Sequence, residues 1–265
     1  MTLGADLVML AVDERHGTLR SSRQLAFALA AAELVDLARA RRIEASVDGR
    51  LKVTESLGTG DPALDATLSA LASCDDGLLL EDVLGNDLPN TIARQVTAVL
   101  GSGELSGREV TANLGGQPIY GGLRPADPAR RRELIERLTD AAGCEADLAQ
   151  AAFAALVHIA GLSSPTLRWD QRRARKKLAE LAAWFGDTWR YLPSCPPELA
   201  LDREDLAPGH VHPADEEPWR MAIRLAVQES GRRVAAFPPP PQGGGGLDRD
   251  VENASNLAWA YRHGL

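Results

Sequence analysis

His210-Val-His212, followed by Asp215 and Glu216, is the segment whose residue types come closest to a metal centre, because alternate residues of an extended stretch point the same way and imidazole and carboxylate suit zinc. The segment is rich in proline and offers no rigid element to hold ligands in place, so no metal is expected there. His158 lies within an apolar helical stretch and reads as a core histidine with a satisfied ring nitrogen rather than a general base. There is no GxSxG elbow, no GxxxxGK[ST] phosphate loop and no HExxH pair. The glycine-rich NLGGQPIYGGL at 113–123 lacks the lysine and helix cap of a phosphate cradle and reads as turn-forming sequence. Neither an enzyme nor a cofactor is expected.

The basic residues offer a different chemistry. Arg168, Arg172 and Arg175 are spaced i, i+4, i+7, with Arg173, Lys176 and Lys177 on adjoining rows. Such a face can gather around the phosphates of an acidic lipid leaflet, or it can be a solvated helix face with Glu180 placed four residues after Lys176. Arg130, Arg131 and Arg132 crowd the first turn of a helix, where the macrodipole disfavours positive charge, and this points to an anion or an acidic partner. The 37 acidic residues outnumber the 29 basic ones and leave a net charge of −8. That balance excludes a polyanion-binding surface spread over the whole molecule; no nucleic acid is expected, and any anion site is local. Only three of the basic residues are lysine, the arginine-rich habit of GC-rich bacterial genomes.

The elements that must position these groups are mostly helical. A chain of 265 residues, 45% hydrophobic, suits one sizeable domain. Leu3, Leu7, Leu10 and Ala11 mark a first amphipathic helix, closed by a turn over DERHGTLRSS. Residues 24–41 are helical and apolar nearly all round, carrying only Glu33 within LAFALAAAELV, which makes this the central helix. Asp48-Gly49 between two short alternating runs predicts a β-hairpin. Asp61-Pro62 and Asp127-Pro128 each pair a carboxylate cap with proline at the first helical position. Further helices are expected from about Asn90 to Gly101, from Ala146 to Ala160, from Ser164-Pro165 to about Trp184, and from Pro218 to Val234. Residues 104–123 have no helical period and read as a second, exposed hairpin or loop. The apolar stretches 25–35 and 151–162 fall short of the roughly 18 residues that span a bilayer. Cys74, Cys144 and Cys195 stand far apart, against a disulfide framework, and the N-terminal segment does not fit a secretory signal, so a cytoplasmic protein is expected.

Taken together, five segments resemble the Golgi phosphoprotein 3-like family in order and spacing: the opening apolar helix with its glycine turn, the central helix ending ELVDLARARRIEA, the TGDPALDATL helix start, the Ile92–Leu105 helix running into GSGEL, and DPARRRELIERL. The resemblance covers about residues 3–185 and the helix around Trp219. It implies a mainly α domain, a central helical bundle wrapped by amphipathic helices and decorated with small β-hairpins. It further implies a peripheral membrane protein, since characterised eukaryotic members bind phosphatidylinositol 4-phosphate in a shallow basic pocket. That pocket uses a tryptophan on the turn before the central helix and arginines from that helix and a later one. Here Ser21 or Ser22 stands at the tryptophan position, Ala30 near the first arginine, and Pro89 and Ile92 near the later pair. Arg94 matches a nearby family arginine, and Arg20 and Arg23 flank the tryptophan position, so the resemblance implies a reshaped anion site on Arg20, Arg23 and Arg94. The family's projecting hairpin, which serves oligomerisation and membrane contact, corresponds to residues 105–123.

Two functions follow as expectations. One is a peripheral phospholipid-binding module on the inner face of a membrane, with an anionic headgroup as partner. The other is an interaction or oligomerising scaffold that keeps the fold without the lipid. The domain is expected over residues 1–236, a proline-glycine linker over 237–246 and a short tail over 247–265.

Overall fold

The computed structural model describes residues 2–46, 49–73, 78–86, 88–110, 119–141, 147–167, 171–185 and 217–236. The fold grows around one helix. In α2 (Arg23–Arg39) every residue from Leu25 to Ala38 is buried, as an all-round apolar sequence requires. Its walls are α1 (Leu3–Ala11), α5 (Leu88–Gly101), α7 (Leu148–Ile159) and α10 (Pro218–Ala235), with α3 (Pro62–Ala72) alongside. α7, the second nearly all-apolar stretch, is itself covered by α9 (Arg172–Phe185) and α10. α6 (Pro128–Ala141) closes the remaining side against α1 and α7. The protein is mainly α, with only small antiparallel sheets among the described residues.

The helix starts are set by side-chain caps: Asp61 and Asp127, as the sequence predicts, and also Ser22 and Asp147. Asp61 Oδ1 accepts from the amides of Ala63 and Leu64, Ser22 Oγ accepts from Leu25 at 3.0 Å, and Asp147 Oδ1 accepts from Gln150 at 2.7 Å. The first expected hairpin is present, β3 (Ile43–Ala45) pairing antiparallel with β4 (Arg50–Val53), Ile43 opposite Val53, while Asp48 of its turn lies outside the described residues. The second hairpin joins β6 (Leu105–Val110) to β7 (Ile119–Pro125). Its 111–118 turn lies outside the described residues.

Four features differ from the sequence reading. The turn after α1 carries a miniature ribbon, β1 (Val12–Asp13) paired with β2 (Thr18–Leu19). β4 gains a third strand, β5 (Leu78–Leu79), which runs straight into the short helix α4 (Leu80–Asn86). The expected helix from Ser164 to Trp184 is two: α8 (Ser163–Thr166) ends at an extended Leu167 (ψ 131°), and α9 begins afresh at Arg172. Arg168, expected on the same helix face as Arg172 and Arg175, lies outside the described residues. So do all three cysteines, the His210–Glu216 segment, and the linker and tail beyond residue 236.

The β1–β2 ribbon docks on β7 by close backbone approach. The amide of Leu123 donates to the Gly17 carbonyl at 2.8 Å, and a Cβ on Gly17, whose φ is +63°, would stand 3.1 Å from the Gly122 Cα. Both the left-handed backbone and the neighbouring main chain demand glycine. Gly17→Ala is therefore expected to cost about 1–3 kcal/mol, read as a lowered urea midpoint with an unchanged m-value.

Candidate functional site

Three acids are buried in the core of α1 and α2; later helices answer Asp6 and Glu33, and α1 answers Asp36. Glu33 is 1% exposed. Its Oε2 accepts from Thr67 Oγ1 at 2.6 Å and from Arg94 Nη2 at 2.8 Å, and its Oε1 accepts from Gln95 Nε2 at 2.7 Å. Burial raises the Glu33 pKa against the pull of Arg94 and these hydrogen bonds. Asp36, one turn later, accepts from the amide of Leu3 at 2.6 Å and so caps the start of α1 from across the core. Asp6 on α1 is held by Arg130 Nη2 at 2.9 Å and Arg137 Nη2 at 3.2 Å, both from α6. The acidic partner that three consecutive arginines at a helix start call for is thus within the chain: Arg130 turns to Asp6, and Arg131 lies 3.5 Å from Glu14.

The same geometry sorts the three candidate headgroup residues. Arg94 faces inward onto Glu33, and Glu33 stands ten residues beyond Arg23 on α2, roughly 15 Å along the axis. The fold does not bring Arg94 together with Arg20 and Arg23. Arg20 and Arg23 flank the Ser22 cap but diverge. Arg20 reaches back to Asp13 Oδ2 at 2.9 Å, across the β1–β2 ribbon. Arg23 lies over the Phe27 ring, Cζ 5.5 Å from its centroid, and turns towards α10.

There Arg23 meets a residue that sequence reading missed. Arg233, in the last turn of α10, is close enough that its charge, second to burial, lowers the Arg23 pKa. Arg233 is held in place by Glu229 Oε1 at 2.8 Å and by the Glu81 carbonyl at 2.7 Å. Two guanidinium groups beside the amino end of the central helix make a local positive centre suited to a phosphate. Nothing in the local sequence around Arg233 marked it, because its position depends on α10 running antiparallel to α2. That direction is fixed at the other end, where Arg41, just past α2, stacks on Trp219 at 4.0 Å.

His158 is half-buried with Nδ1 3.4 Å from Ser163 Oγ, and burial lowers its pKa, as a core histidine should behave. Among the described residues no group of three His, Cys, Asp or Glu side chains is placed to hold a metal ion. No helix among them is long and apolar enough to cross a membrane.

The Golgi phosphoprotein 3 (GPP34) family model matches the chain over residues 3–232, from the first residue of α1 to the last turn of α10. The chain belongs to the Golgi phosphoprotein 3 family. A search of curated proteins returns no match. The match takes in Arg23 and most of α10 and stops one residue short of Arg233. Of the positions aligned above with the family's pocket cations, Ala30 is buried on α2 and Ile92 is half-buried against the core, and neither brings a charge to the surface.

Proposed function

We propose that this Golgi phosphoprotein 3 relative is a peripheral phospholipid-binding module whose headgroup site is rebuilt at the amino end of the central helix. The reading rests on one observation, the placement of Arg23 in the first turn of the central helix, next to the Ser22 cap and over the Phe27 ring, where the charge of Arg233 is felt. Like charges brought together are costly, and a phosphate between them turns that cost into charge-assisted hydrogen bonds. Arg20 stands at the rim of this site, where its bond to Asp13 is exchangeable because exposed ion pairs are worth about 0–1 kcal/mol. Arg94 serves the fold and not the headgroup. The role is binding, not catalysis, and it places the protein on the inner face of a membrane.

The reading predicts that the full chain sediments with vesicles containing anionic phospholipid at low salt and that binding weakens steeply as salt rises, since the screening length falls from about 10 Å at 0.1 M to about 3 Å at 1 M. Replacing Arg20 and Arg23 together by alanine should weaken it further at every salt concentration. Equal absence of binding to anionic and neutral vesicles at low salt would remove the lipid reading. The second reading, a scaffold that self-associates through the β6–β7 hairpin, gains its support from Arg94 and Ala30, where headgroup cations are withdrawn into the fold. It calls for concentration-dependent oligomerisation in analytical ultracentrifugation, abolished by shortening the hairpin.

A further inference from the structure

We infer that the donors around Glu33 form a carboxylate receptor built by the rest of the fold, with the Glu33 side chain as its tethered occupant, so that cutting the tether opens a site for a free small monocarboxylate. The inference is independent of the phospholipid reading. It concerns the middle of α2, roughly 15 Å along the axis from Arg23.

The donors match a carboxylate oxygen by oxygen. Thr67 Oγ1 at 2.6 Å and Arg94 Nη2 at 2.8 Å donate to Glu33 Oε2, while Gln95 Nε2 at 2.7 Å and Arg94 Nε at 3.4 Å donate to Oε1. The guanidinium meets the carboxylate side-on with two nitrogens, and a hydroxyl and an amide complete the set. Two donors on each oxygen suit a planar anion with two oxygens. A tetrahedral phosphate or sulfate would bring further oxygens to a place where these donors are already engaged, and a buried acceptor left unanswered is costly.

Each donor is held by contacts other than its bond to Glu33. Thr67 stands on α3 beside Leu64, Leu68 and Leu71, all three in the core, and α3 itself is started by the Asp61 cap. Gln95 is buried so close to α1 that a Cβ on Gly4 would stand 2.5 Å from its Oε1, which wedges the amide between α1 and Glu33. Arg94 Nη2 also lies 3.3 Å from Thr67 Oγ1 and 3.5 Å from Thr91 Oγ1, so hydroxyls of α3 and α5 flank the guanidinium. A donor set fixed before its ligand arrives binds without the ordering cost that a flexible site carries. The Arg94 side chain is 20% exposed and marks the route to solvent.

The length of the tether sets which acid fits. Glu33→Ala removes a methylene carboxylate, the size of one acetate, and leaves the best helix former in the middle of α2. Glu33→Gly removes one carbon more, the size of one propionate. In either variant the largely buried Arg94, Thr67 and Gln95 lose the anion that answers them, and a free acid of matching length restores it.

The test uses the full chain carrying E33A, unfolded in urea at neutral pH with sodium acetate, propionate, phosphate or chloride at matched ionic strength. A ligand that binds only the folded protein raises the midpoint with the logarithm of its concentration. Acetate should do so, chloride and phosphate should not, and propionate should need roughly tenfold more because it carries one methylene too many. E33G should reverse the order and prefer propionate. The wild type, whose receptor is filled, should respond to none of them. E33A/R94M should be more stable than E33A without acetate, since no orphaned cation is left buried, and should ignore acetate. If E33A is unfolded in chloride, refolding on addition of acetate reports the same site. An equal response to acetate and chloride, or a response to acetate in the wild type or in E33A/R94M, is a general salt effect and overturns the proposal. So does an E33A chain, folded or unfolded, that ignores acetate, because the donors then depend on the tether.

Discussion

Replacing Arg94 by methionine should destabilise the protein by about 3–5 kcal/mol, the usual consequence of removing one partner from a buried ion pair. Glu33 would be left 1% exposed with only Thr67 and Gln95 to answer its charge. An exposed arginine of the same family fold would cost no more than about 1 kcal/mol, so the size of the loss decides which kind of residue Arg94 is. The loss should shrink in the double variant E33Q/R94M, because a neutral amide needs no counter-charge and keeps partners in Thr67 and Gln95. It should also shrink on acidification, since an orphaned Glu33 takes up a proton. Urea melts of the wild type, both single variants and the double variant measure the coupling directly. A loss under 1 kcal/mol together with weakened vesicle binding would return Arg94 to the headgroup site.

Arg94 also marks the limit of what the chain discloses when read as a sequence. Local signals carried far: the apolar run around Glu33 placed α2 at the centre, and Asp61-Pro62, Asp127-Pro128 and Asp48-Gly49 fixed three element boundaries through caps and turn chemistry that act within a few residues. β5 and α4 escaped because LLLEDVLGN is too short to show a period, and its strand exists only by pairing Leu78 and Leu79 with β4. The break between α8 and α9 escaped because the apolar period runs through it without a stop signal. Charge was legible as a need but not as a partnership. That Arg130–Arg132 require acid follows from the macrodipole, but that the acid is Asp6, from the other side of the core, follows only from packing. In the same way a row of spacing cannot distinguish an arginine that faces lipid from one that faces Glu33, and Arg233 reaches Arg23 only through the antiparallel course of α10.

Asp36 gives the second large effect, a loss of stability as pH rises. Burial, acting against the Leu3 amide and Arg39, pushes its pKa from 3.8 up to about 7. The folded protein therefore holds a proton through the window between about pH 4 and pH 7 that the unfolded chain releases, and more bound protons in the native state make unfolding easier with each rise in pH. The contribution is fully present below pH 4 and is gone above pH 7, a change of roughly 4 kcal/mol. Asp6 and Glu33 are raised in the same direction, so the wild-type slope contains all three, and the Asp36 share is isolated by D36N, whose amide oxygen can still accept from Leu3 but cannot ionise. The stability of D36N relative to the wild type should grow between about pH 4 and about pH 7 and level off above; parallel profiles would refute the assignment. The structural consequence is directional. α1 is fastened at its start by Asp36 and along its side by Asp6, and it leads straight into the ribbon that carries Arg20 to the rim of the proposed headgroup site. Ionisation near neutrality thus acts first on the element that positions that rim, and amide exchange at Leu3 and Gly4 should quicken between about pH 6 and about pH 8, after correction for intrinsic exchange, before exchange in α2 does.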